Sequence, residues 1–327
     1  MILYCYGTRP EYIKVKKLIS LSKDLPHKVL YTEQHKDLVL GDFDYKLTIG
    51  DGSNRLDSII SSILSNNLDE CFLGVKYVLV QGDTASAFAL SLAAFHRNIK
   101  VIHLEAGLRT YDKENPYPEE SYRQFISRIT DIHLCPTENN KNNLLMEKVG
   151  GEIYVVGNTV LDNLEKGNTE YGNNVLVTLH RRENHEEMDK WFYEVENLSI
   201  KHPELNFILP IHPNPNVKKH QHILKNVIVV DPLSHDEFIS EMKKCRLLIS
   251  DSGGVQEEAS FFNKRVIVCR KVTERTESIG THSFLCDKPS SLNSLFEELV
   301  YDYEINKPCP YGDGNSSEKI IEILKKL

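Results

Sequence analysis

The chain has 327 residues, 40% of them hydrophobic and 26% charged, which is the composition of a soluble globular protein with more than one hydrophobic core. Lys and Arg number 39 against 47 Asp and Glu, and the resulting net charge of −8 argues against a nucleic-acid partner. The seven cysteines are scattered and no two form a CxxC pair, so we expect buried, reduced thiols and no metal cluster.

The first half of the chain alternates short apolar runs with segments of helical period. It begins with MILYCYGTRPEY, which lacks the features of a signal peptide, and no run approaches the roughly 18 apolar residues of a transmembrane helix. We therefore expect a cytoplasmic protein with no membrane partner. The predicted strands are ILYCY, KVLYT, YVLVQ, KVIHL, IHLCP and IYVVG, and the helical patterns between and after them run from EYIKVKKLISLSK to TVLDNLEKG. Apolar strands that alternate with helices indicate a parallel sheet covered on both faces.

A polar, Gly- and Asn-rich stretch at 165–175, EKGNTEYGNNV, predicts a linker between domains. The alternation then restarts with NVLVTLH, LNFILPIH, VIVVDP, RLLISDSGG and RVIVCR. The sequence therefore predicts an α/β protein made of two Rossmann-like, doubly wound domains in tandem.

The predicted strand ends of the first half carry polar side chains. In doubly wound sheets, ligands bind beyond the carboxyl ends of the strands. Arg9 follows the first strand in GTRPEYIK, Asp83 follows YVLVQ, and Glu105 follows KVIHL. Asp83 alone could simply cap the next helix. Taken together, the carboxylates indicate acid/base chemistry at this edge.

The predicted strand ends of the second half carry imidazoles, cations and a glycine turn. His180 and Arg181 follow LVTL, His212 follows ILPI, and Ser252-Gly253-Gly254 follows LLISD. A Ser-Gly-Gly turn that opens a helix offers free amides to a phosphate, although it could equally be an ordinary capping turn with Ser252 or Asp251 as the cap. Neither GxGxxG nor GxxxxGK[ST] is present after a strand, so the dinucleotide and P-loop fingerprints are absent.

Read as a series, the motifs resemble those of the non-hydrolysing UDP-N-acetylglucosamine 2-epimerases, in the order of that family. The series is GTRPEYIK, GDTASAFALSLAAF, HLEAGLRT, PYPEESYRQ, PTENNKNNLL, VVGNTVLD, LHRREN, PIHPNPNV, SDSGGVQEEA, TERTES and PYGDG. The resemblance covers nearly the whole chain.

The resemblance implies a glycosyltransferase-B architecture, in which two domains face each other across a cleft. The first domain would be residues 1–166 with the C-terminal helix of 310–327 packed back on it, and the UDP-binding domain would be 167–309. The implied reaction needs no nicotinamide, metal or other cofactor. UDP is eliminated from a UDP-N-acetylhexosamine to leave a 2-acetamidoglycal, and its readdition inverts C2, as in the conversion of UDP-GlcNAc to UDP-ManNAc for surface polysaccharide or glycan synthesis.

The resemblance also implies roles for individual residues. The acidic positions of the family are occupied by Asp83, Glu105 and Glu119, whereas Glu120 is expected at the surface. His180 would act in catalysis beside the leaving diphosphate. The remaining residues implied to bind UDP or its phosphates are Arg9, Lys14, Arg123, Ser252, Gly253, Gly254 and Glu258.

A second site for UDP-GlcNAc activates some bacterial relatives, and this chain retains only part of the residue set. Gln34, His35, Arg181 and His212 remain, but the loop continues with Lys36-Asp37, and Ser62 stands where an Arg is expected. We therefore predict that this allosteric site is weakened or lost. The same departure leaves a 6-deoxy sugar of the fucosamine or rhamnosamine type open as the substrate.

Other functions compatible with this fold remain open at the level of sequence. A hydrolysing 2-epimerase would release UDP and free ManNAc, and a glycosyltransferase with this fold would need an acceptor. A non-catalytic sensor of sugar nucleotides is disfavoured because every matched acidic position is occupied. Members of the family are commonly dimers, so a homodimer is expected.

Overall fold

The computed structural model describes residues 1–35 and 41–327. The chain divides into two compact units. Unit 1 comprises Met1–Leu164 and Gly312–Leu327, and unit 2 comprises Glu165–Tyr311. The sequence predicted that the first domain ends at residue 166, two residues later than in the structure. It predicted that the C-terminal segment of that domain begins at residue 310, two residues earlier than in the structure.

Unit 1 contains a seven-stranded parallel sheet in the order β3-β2-β1-β4-β5-β6-β7. The strands are β1 (Ile2–Tyr6), β2 (His27–Tyr31), β3 (Tyr45–Lys46), β4 (Tyr77–Gln81), β5 (Lys100–Leu104), β6 (Ile132–Cys135) and β7 (Glu152–Val155). The strand order reverses direction between β1 and β4, which is the point where a doubly wound sheet opens a crevice for a ligand.

The helices of unit 1 cover both faces of this sheet. They are α1 (Arg9–Leu21), α2 (Arg55–Ser65), α3 (Asp69–Phe72), α4 (Ala85–His96), α5 (Glu119–Arg128), α6 (Glu138–Met146) and α12 (Ser316–Leu324). Side chains alternate across a strand, so β1 contributes Leu3 and Cys5 to a core cluster with α2 and α4, and Tyr4 to a second cluster that includes Val15 of α1 and Ile320 of α12.

Unit 2 contains a six-stranded parallel sheet in the order β10-β9-β8-β11-β12-β13, whose direction reverses between β8 and β11. The strands are β8 (Asn174–Thr178), β9 (Asn206–Pro210), β10 (Ile228–Val230), β11 (Leu247–Ser250), β12 (Val266–Val268) and β13 (Ser283–Leu285). The helices are α7 (Met188–Lys201), α8 (Pro215–Lys218), α9 (His235–Lys244), α10 (Gly253–Phe261) and α11 (Leu292–Leu299). One core cluster, centred on Trp191 and Phe192, fills this unit.

The predicted linker is tied to unit 2 from its sixth residue onward. The backbone amides of Glu170 and Gly172 donate to the carbonyls of Lys243 and Lys244, both at 2.9 Å. The buried Lys264 ammonium donates to the carbonyls of Glu170 and Cys245 and lies 4.2 Å from the centre of the Tyr171 ring. Burial lowers the pKa of Lys264 to about 8.

The helix predicted from TVLDNLEKG is wrong, since only a 3-10 turn forms at Leu161–Asn163. Asp162 accepts instead from the amides of Ser316 and Ser317 at the start of α12, at 2.9 and 2.6 Å, and this packing holds the segment in an irregular path. The short strands β3 and β13 were not predicted. Six of the seven cysteines are buried and Cys309 is half-buried, and none of the seven, all within the described residues, forms a disulfide. Within residues 1–35 and 41–327, no helix is long and apolar enough to cross a membrane.

Candidate active site

The switch point of unit 1 is built by the two loops that follow β1 and β4. Glu11, buried in the first turn of α1, accepts from the amides of Gly7 and Thr8 at 3.0 and 2.7 Å and from the Thr84 hydroxyl at 2.7 Å. Thr84 in turn caps α4 by accepting from the amide of Ala87 at 3.0 Å. One carboxylate thus ties both loops together, and burial raises its pKa.

Glu105 lies immediately beyond β5 in a closely built polar setting. It is 7% exposed and has a φ of +66°, in the left-handed region that a residue with a side chain seldom adopts. Lys14 of α1 donates to its Oε2 at 2.5 Å, Gln81 at the end of β4 donates to the same oxygen, and Asn158 donates to Oε1 at 3.1 Å. Three elements therefore converge on one carboxylate at the ligand-binding edge of the sheet.

Asp83, beyond β4, is paired with Arg123 of α5. The Arg123 Nε lies 3.0 Å from Asp83 Oδ2, and its Nη2 donates to the same oxygen. Asp83 does not cap α4, because that position belongs to Thr84. The pairing brings together two residues that the sequence had placed in different motifs, the acid and a predicted phosphate ligand.

The expectation that Glu120 is a surface residue is wrong. Its carboxylate is fully buried and accepts from the amides of Thr110 and Tyr111 at 3.0 and 3.1 Å, and from Gln124 Nε2 at 2.8 Å. Arg123 Nη1 lies 3.3 Å from it. A carboxylate can be buried when donors satisfy it, and here two of them come from a loop about ten residues earlier in the chain.

The other predicted residues of unit 1 lie on helix N-terminal turns. Arg9 is the first residue of α1 and its side chain is exposed, while Glu119 is the first residue of α5 and is partly buried.

Gly107 follows Glu105 in the loop after β5. It has a φ of +86°, and a Cβ there would lie 2.2 Å from the carbonyl oxygen of Asn140. The glycine therefore accommodates the backbone at the start of α6.

In unit 2 the switch point is organised by Asp251, which sequence reasoning had considered only as a helix cap. It lies beyond β11, is completely buried, and accepts from the amides of His180 and Arg181 at 2.9 and 2.8 Å and from Asn184 Nδ2 at 3.0 Å. The loop after β8 is thereby fixed to the loop after β11.

The His180 imidazole stacks on His212, with ring centres 5.1 Å apart and an interplanar angle of 11°. Its Nδ1 lies 3.5 Å from Asp251 Oδ1. Burial lowers the pKa of His180, the Asp251 carboxylate opposes this shift, and His212 and Arg181 add to it. The arrangement therefore favours a neutral imidazole at pH 7 with Nδ1–H toward Asp251, and Nε2 becomes a hydrogen-bond donor only when the ring is protonated.

The Ser-Gly-Gly turn opens α10 without a side-chain cap. Ser252 is the N-cap residue, but its side chain forms no capping hydrogen bond, and Asp251 is used by the loop after β8. A Cβ on Gly254 would meet nothing within 4 Å, whereas one on Gly253 would lie 2.5 Å from Arg275 Nη1. The first turn of α10 thus presents amides and an open approach, which suits an anion.

Glu258 lies one helical turn further along α10 and is buried. His235, the first residue of α9, lies with its Nε2 2.9 Å from Glu258 Oε1. Sequence reasoning did not single out His235, because nothing in the motif series relates it to α10.

The residues matched to the second site are partly engaged in internal contacts. Gln34 Oε1 accepts from the amide and the hydroxyl of Ser86 at 3.2 and 2.7 Å, and the His35 amide donates to Gly7 O at 3.0 Å. Burial lowers the pKa of His35. Ser62 accepts from the Gly50 amide at 2.9 Å. Lys36 and Asp37 lie outside the described residues.

In the same set, Arg181 is held through its backbone amide by Asp251, and the His212 side chain is exposed. The Asn214 amide donates to His212 Nδ1 at 3.2 Å. These contacts fix the position of both residues in unit 2, and the predicted loss of the second site stays a prediction.

Residues 17–325 match the sequence model of a family described as UDP-N-acetylglucosamine 2-epimerase. A protein of that name from Neisseria meningitidis serogroup A is 38% identical over 369 positions, which cover 99% of this chain and 99% of the relative. The crystal structure of the N. meningitidis UDP-GlcNAc 2-epimerase bound to UDP-GlcNAc matches with a TM-score of 0.88 and 34% identity over 100% of both chains. The structure of S. aureus MnaA with UDP matches with a TM-score of 0.86 and 32% identity over 99% of this chain and 96% of that one.

The two parallel sheets and these likenesses define an α/β enzyme of the glycosyltransferase-B type. The chain belongs to the UDP-N-acetylglucosamine 2-epimerase family. The family resemblance drawn from the motifs is confirmed.

Proposed function

We propose that the protein is a non-hydrolysing UDP-N-acetylhexosamine 2-epimerase, which inverts C2 of a UDP-linked 2-acetamido sugar. The observation that carries the proposal is Glu105, a buried carboxylate in a left-handed backbone conformation at the ligand-binding edge of unit 1. Strained backbone conformations are retained mainly where function requires them. Its three donors hold the carboxylate in one position.

The chemistry needs a base for a weakly acidic C2 proton and an acid for the opposite face. Cleavage of the C1–O bond leaves positive charge at the anomeric carbon, and nearby carboxylates stabilise such charge, as in glycoside cleavage. Asp83, Glu105 and Glu119 are the proposed set. Asp83 is held by Arg123, and this ion pair would fix the direction from which the carboxylate approaches the sugar ring.

The leaving group is proposed to bind in unit 2, with the α10 amides and His180 at the diphosphate and Glu258 at the ribose hydroxyls. Donors that are already in place where charge develops give a large share of catalysis, because they need no reorganisation. The open approach at Gly254 and the rigid hold of Asp251 on the His180 amide support this assignment. Arg9 and Lys14 are proposed to add positive charge from unit 1.

Relatives crystallised with UDP-GlcNAc or UDP support a UDP-sugar substrate. We propose the interconversion of UDP-GlcNAc and UDP-ManNAc first, with a 6-deoxy UDP-N-acetylhexosamine as the second candidate. The internal bond between Ser62 and the Gly50 amide supports the weakened second site, because Ser62 offers no charge to a diphosphate. Initial rates with and without added UDP-GlcNAc test this point, and strong activation would contradict it.

The deciding experiment is proton NMR of the purified protein with a panel of UDP-N-acetylhexosamines in D2O. We expect deuterium at C2 and a mixture of two C2-epimeric nucleotide sugars, with no acceptor present. Release of UDP and free ManNAc would instead identify a hydrolysing enzyme. Loss of sugar only when an acceptor is added would identify a transferase. Light scattering after gel filtration tests the proposed homodimer.

A further inference from the structure

Two of the three donors that hold Glu105 are buried amide side chains of unit 1. Gln81 is the last residue of β4 and is 3% exposed, and Asn158 follows β7 and is 2% exposed. Both direct an amide nitrogen at the Glu105 carboxylate, one to each oxygen. Two buried amides that only filled space would not both be expected to donate to the same carboxylate.

The orientation of Asn158 is fixed by a second bond. Its Oδ1 accepts from the amide of Val160 at 3.1 Å, so its Nδ2 is the atom that faces Glu105. The amide group therefore acts toward Glu105 as a donor. Lys14 adds a third donor, and a positive charge, on Oε2 at 2.5 Å.

Hydrogen bonds to the charged form of a carboxyl group, and a cation beside it, both favour ionisation. A further titratable group beside Glu105 is His103 of β5, which burial holds neutral by lowering its pKa to about 3. His103 donates to the carbonyl of Gly82 at 2.8 Å and brings no charge. Two neutral donors, one cation and a neutral imidazole thus lie beside Glu105.

We propose that Gln81 and Asn158 are positioning residues that, together with Lys14, keep Glu105 ionised, so that Glu105 enters the elimination as the proton acceptor. This inference rests on the proposed function and adds to it that Glu105 removes the C2 proton. The C2–H bond breaks and its proton goes to the Glu105 carboxylate, while its electron pair forms the C1=C2 double bond. The C1–O bond breaks with its electron pair on the UDP oxygen, and a different group then protonates C2 from the opposite face on readdition.

The first test does not depend on activity. In protein labelled with carbon-13 at the glutamate carboxyls, the Glu105 signal is identified by its loss in Glu105→Gln and followed through a pH titration. We expect the wild-type signal to be that of the ionised group at pH 7. In Gln81→Glu and in Asn158→Asp, which place a second carboxylate in hydrogen-bonding range, the Glu105 titration should move up by about one pH unit or more.

Gln124→Glu is the matched control, because Gln124 also donates to a buried carboxylate of this unit, that of Glu120. It should leave the Glu105 titration where it is in the wild type. A protonated Glu105 at pH 7 in the wild type would overturn the proposal. So would unchanged titrations in both Gln81→Glu and Asn158→Asp, or an equal shift in Gln124→Glu.

The second test follows C2 deuteration against pH. If the two amides act through Glu105, the rising limb of kcat should move to higher pH in Gln81→Glu and Asn158→Asp by the same amount as the NMR titration. A purely structural role would lower the rate equally at every pH, which would contradict the inference. If the wild-type protein deuterates no UDP-N-acetylhexosamine, the proposed function is refuted. The NMR titration would still show whether Glu105 is ionised at pH 7.

Discussion

Arg275 lies directly across the first residue of α10, so that a Cβ on Gly253 would be 2.5 Å from its Nη1. The guanidinium is not free to move aside, because its Nε donates to Glu257 at 2.6 Å and its Nη1 is paired with Glu274. Gly253 is therefore a requirement of packing, in addition to its proposed place beside an anion. Arg275 lies within the TERTES motif, but nothing in the sequence indicated its contact with the start of α10.

We expect Gly253→Ala to lower the free energy of unfolding by about 1–3 kcal/mol, because the new methyl group overlaps a held side chain. Urea denaturation of the full chain measures this change. Gly254→Ala is the matched comparison for stability, because a Cβ there meets nothing within 4 Å. Equal destabilisation by both substitutions would contradict the packing role of Arg275.

Glu120→Ala should destabilise the chain by about 3 kcal/mol or more, because it removes one partner from a buried charged network. The amides of Thr110 and Tyr111 would lose their acceptor, and Arg123 would lose one of its carboxylate partners while keeping Asp83. Thermal unfolding measures the change. Glu114→Ala, at an exposed position of the same loop, should change the melting temperature little. A melting temperature of Glu120→Ala equal to that of the wild type would show that the contacts of the buried Glu120 carboxylate do not stabilise the fold.

His103 makes stability depend on pH in the acid range. Its imidazole is completely buried, and burial lowers its pKa to about 3. The unfolded chain binds this proton near the ordinary value of about 6.5, so between these two values protons favour the unfolded state. The stability contributed by neutral His103 is thus complete above about pH 6.5 and is lost as the pH falls toward 3.

In His103→Gln, which keeps a donor for the Gly82 carbonyl but does not titrate, the free energy of unfolding should fall less steeply below pH 6.5. The slope should decrease by up to about 1.4 kcal/mol per pH unit, the value for one proton. Urea denaturation at a series of pH values from 7.5 to 4.5 measures it. The same slope in both proteins would show that His103 is protonated in the folded state.

His235 should matter for binding of the ribose. If Glu258 grips the ribose hydroxyls as proposed, the His235 ring, 2.9 Å away, holds that carboxylate in place. We expect His235→Gln to weaken UDP binding by roughly 3- to 10-fold, as for the loss of a typical hydrogen bond of about 1 kcal/mol. Calorimetry with UDP and with 2′-deoxy-UDP is the measurement. The loss should be smaller for the deoxynucleotide, and an equal loss for both would point to a general disturbance of α9.

Much of the fold was accessible from the sequence, because parallel strands buried on both faces are apolar throughout and are followed by helices. The strands β3 and β13 were missed because their sequences, YK and SFL, lack the run of β-branched residues that marks the similarly short β10 and β12. The strand-end rule led to Asp83, Glu105 and His180, whose positions follow from local order along the chain. It could not reveal the burial of Glu120 or the contacts of Gln81, Asn158 and Arg275, because these depend on partners distant in sequence.

The helix α12 has a consequence for how the chain comes off the ribosome. Its residues Ile320, Ile321 and Leu324 complete the core cluster that contains Val15 and Leu18 of α1, so unit 1 is built from both ends of the chain. All of unit 2 is synthesised between these two pieces. Synthesis of unit 1 therefore starts before that of unit 2 and ends after it. The apolar face of α1 stays uncovered by α12 until unit 2 has been synthesised.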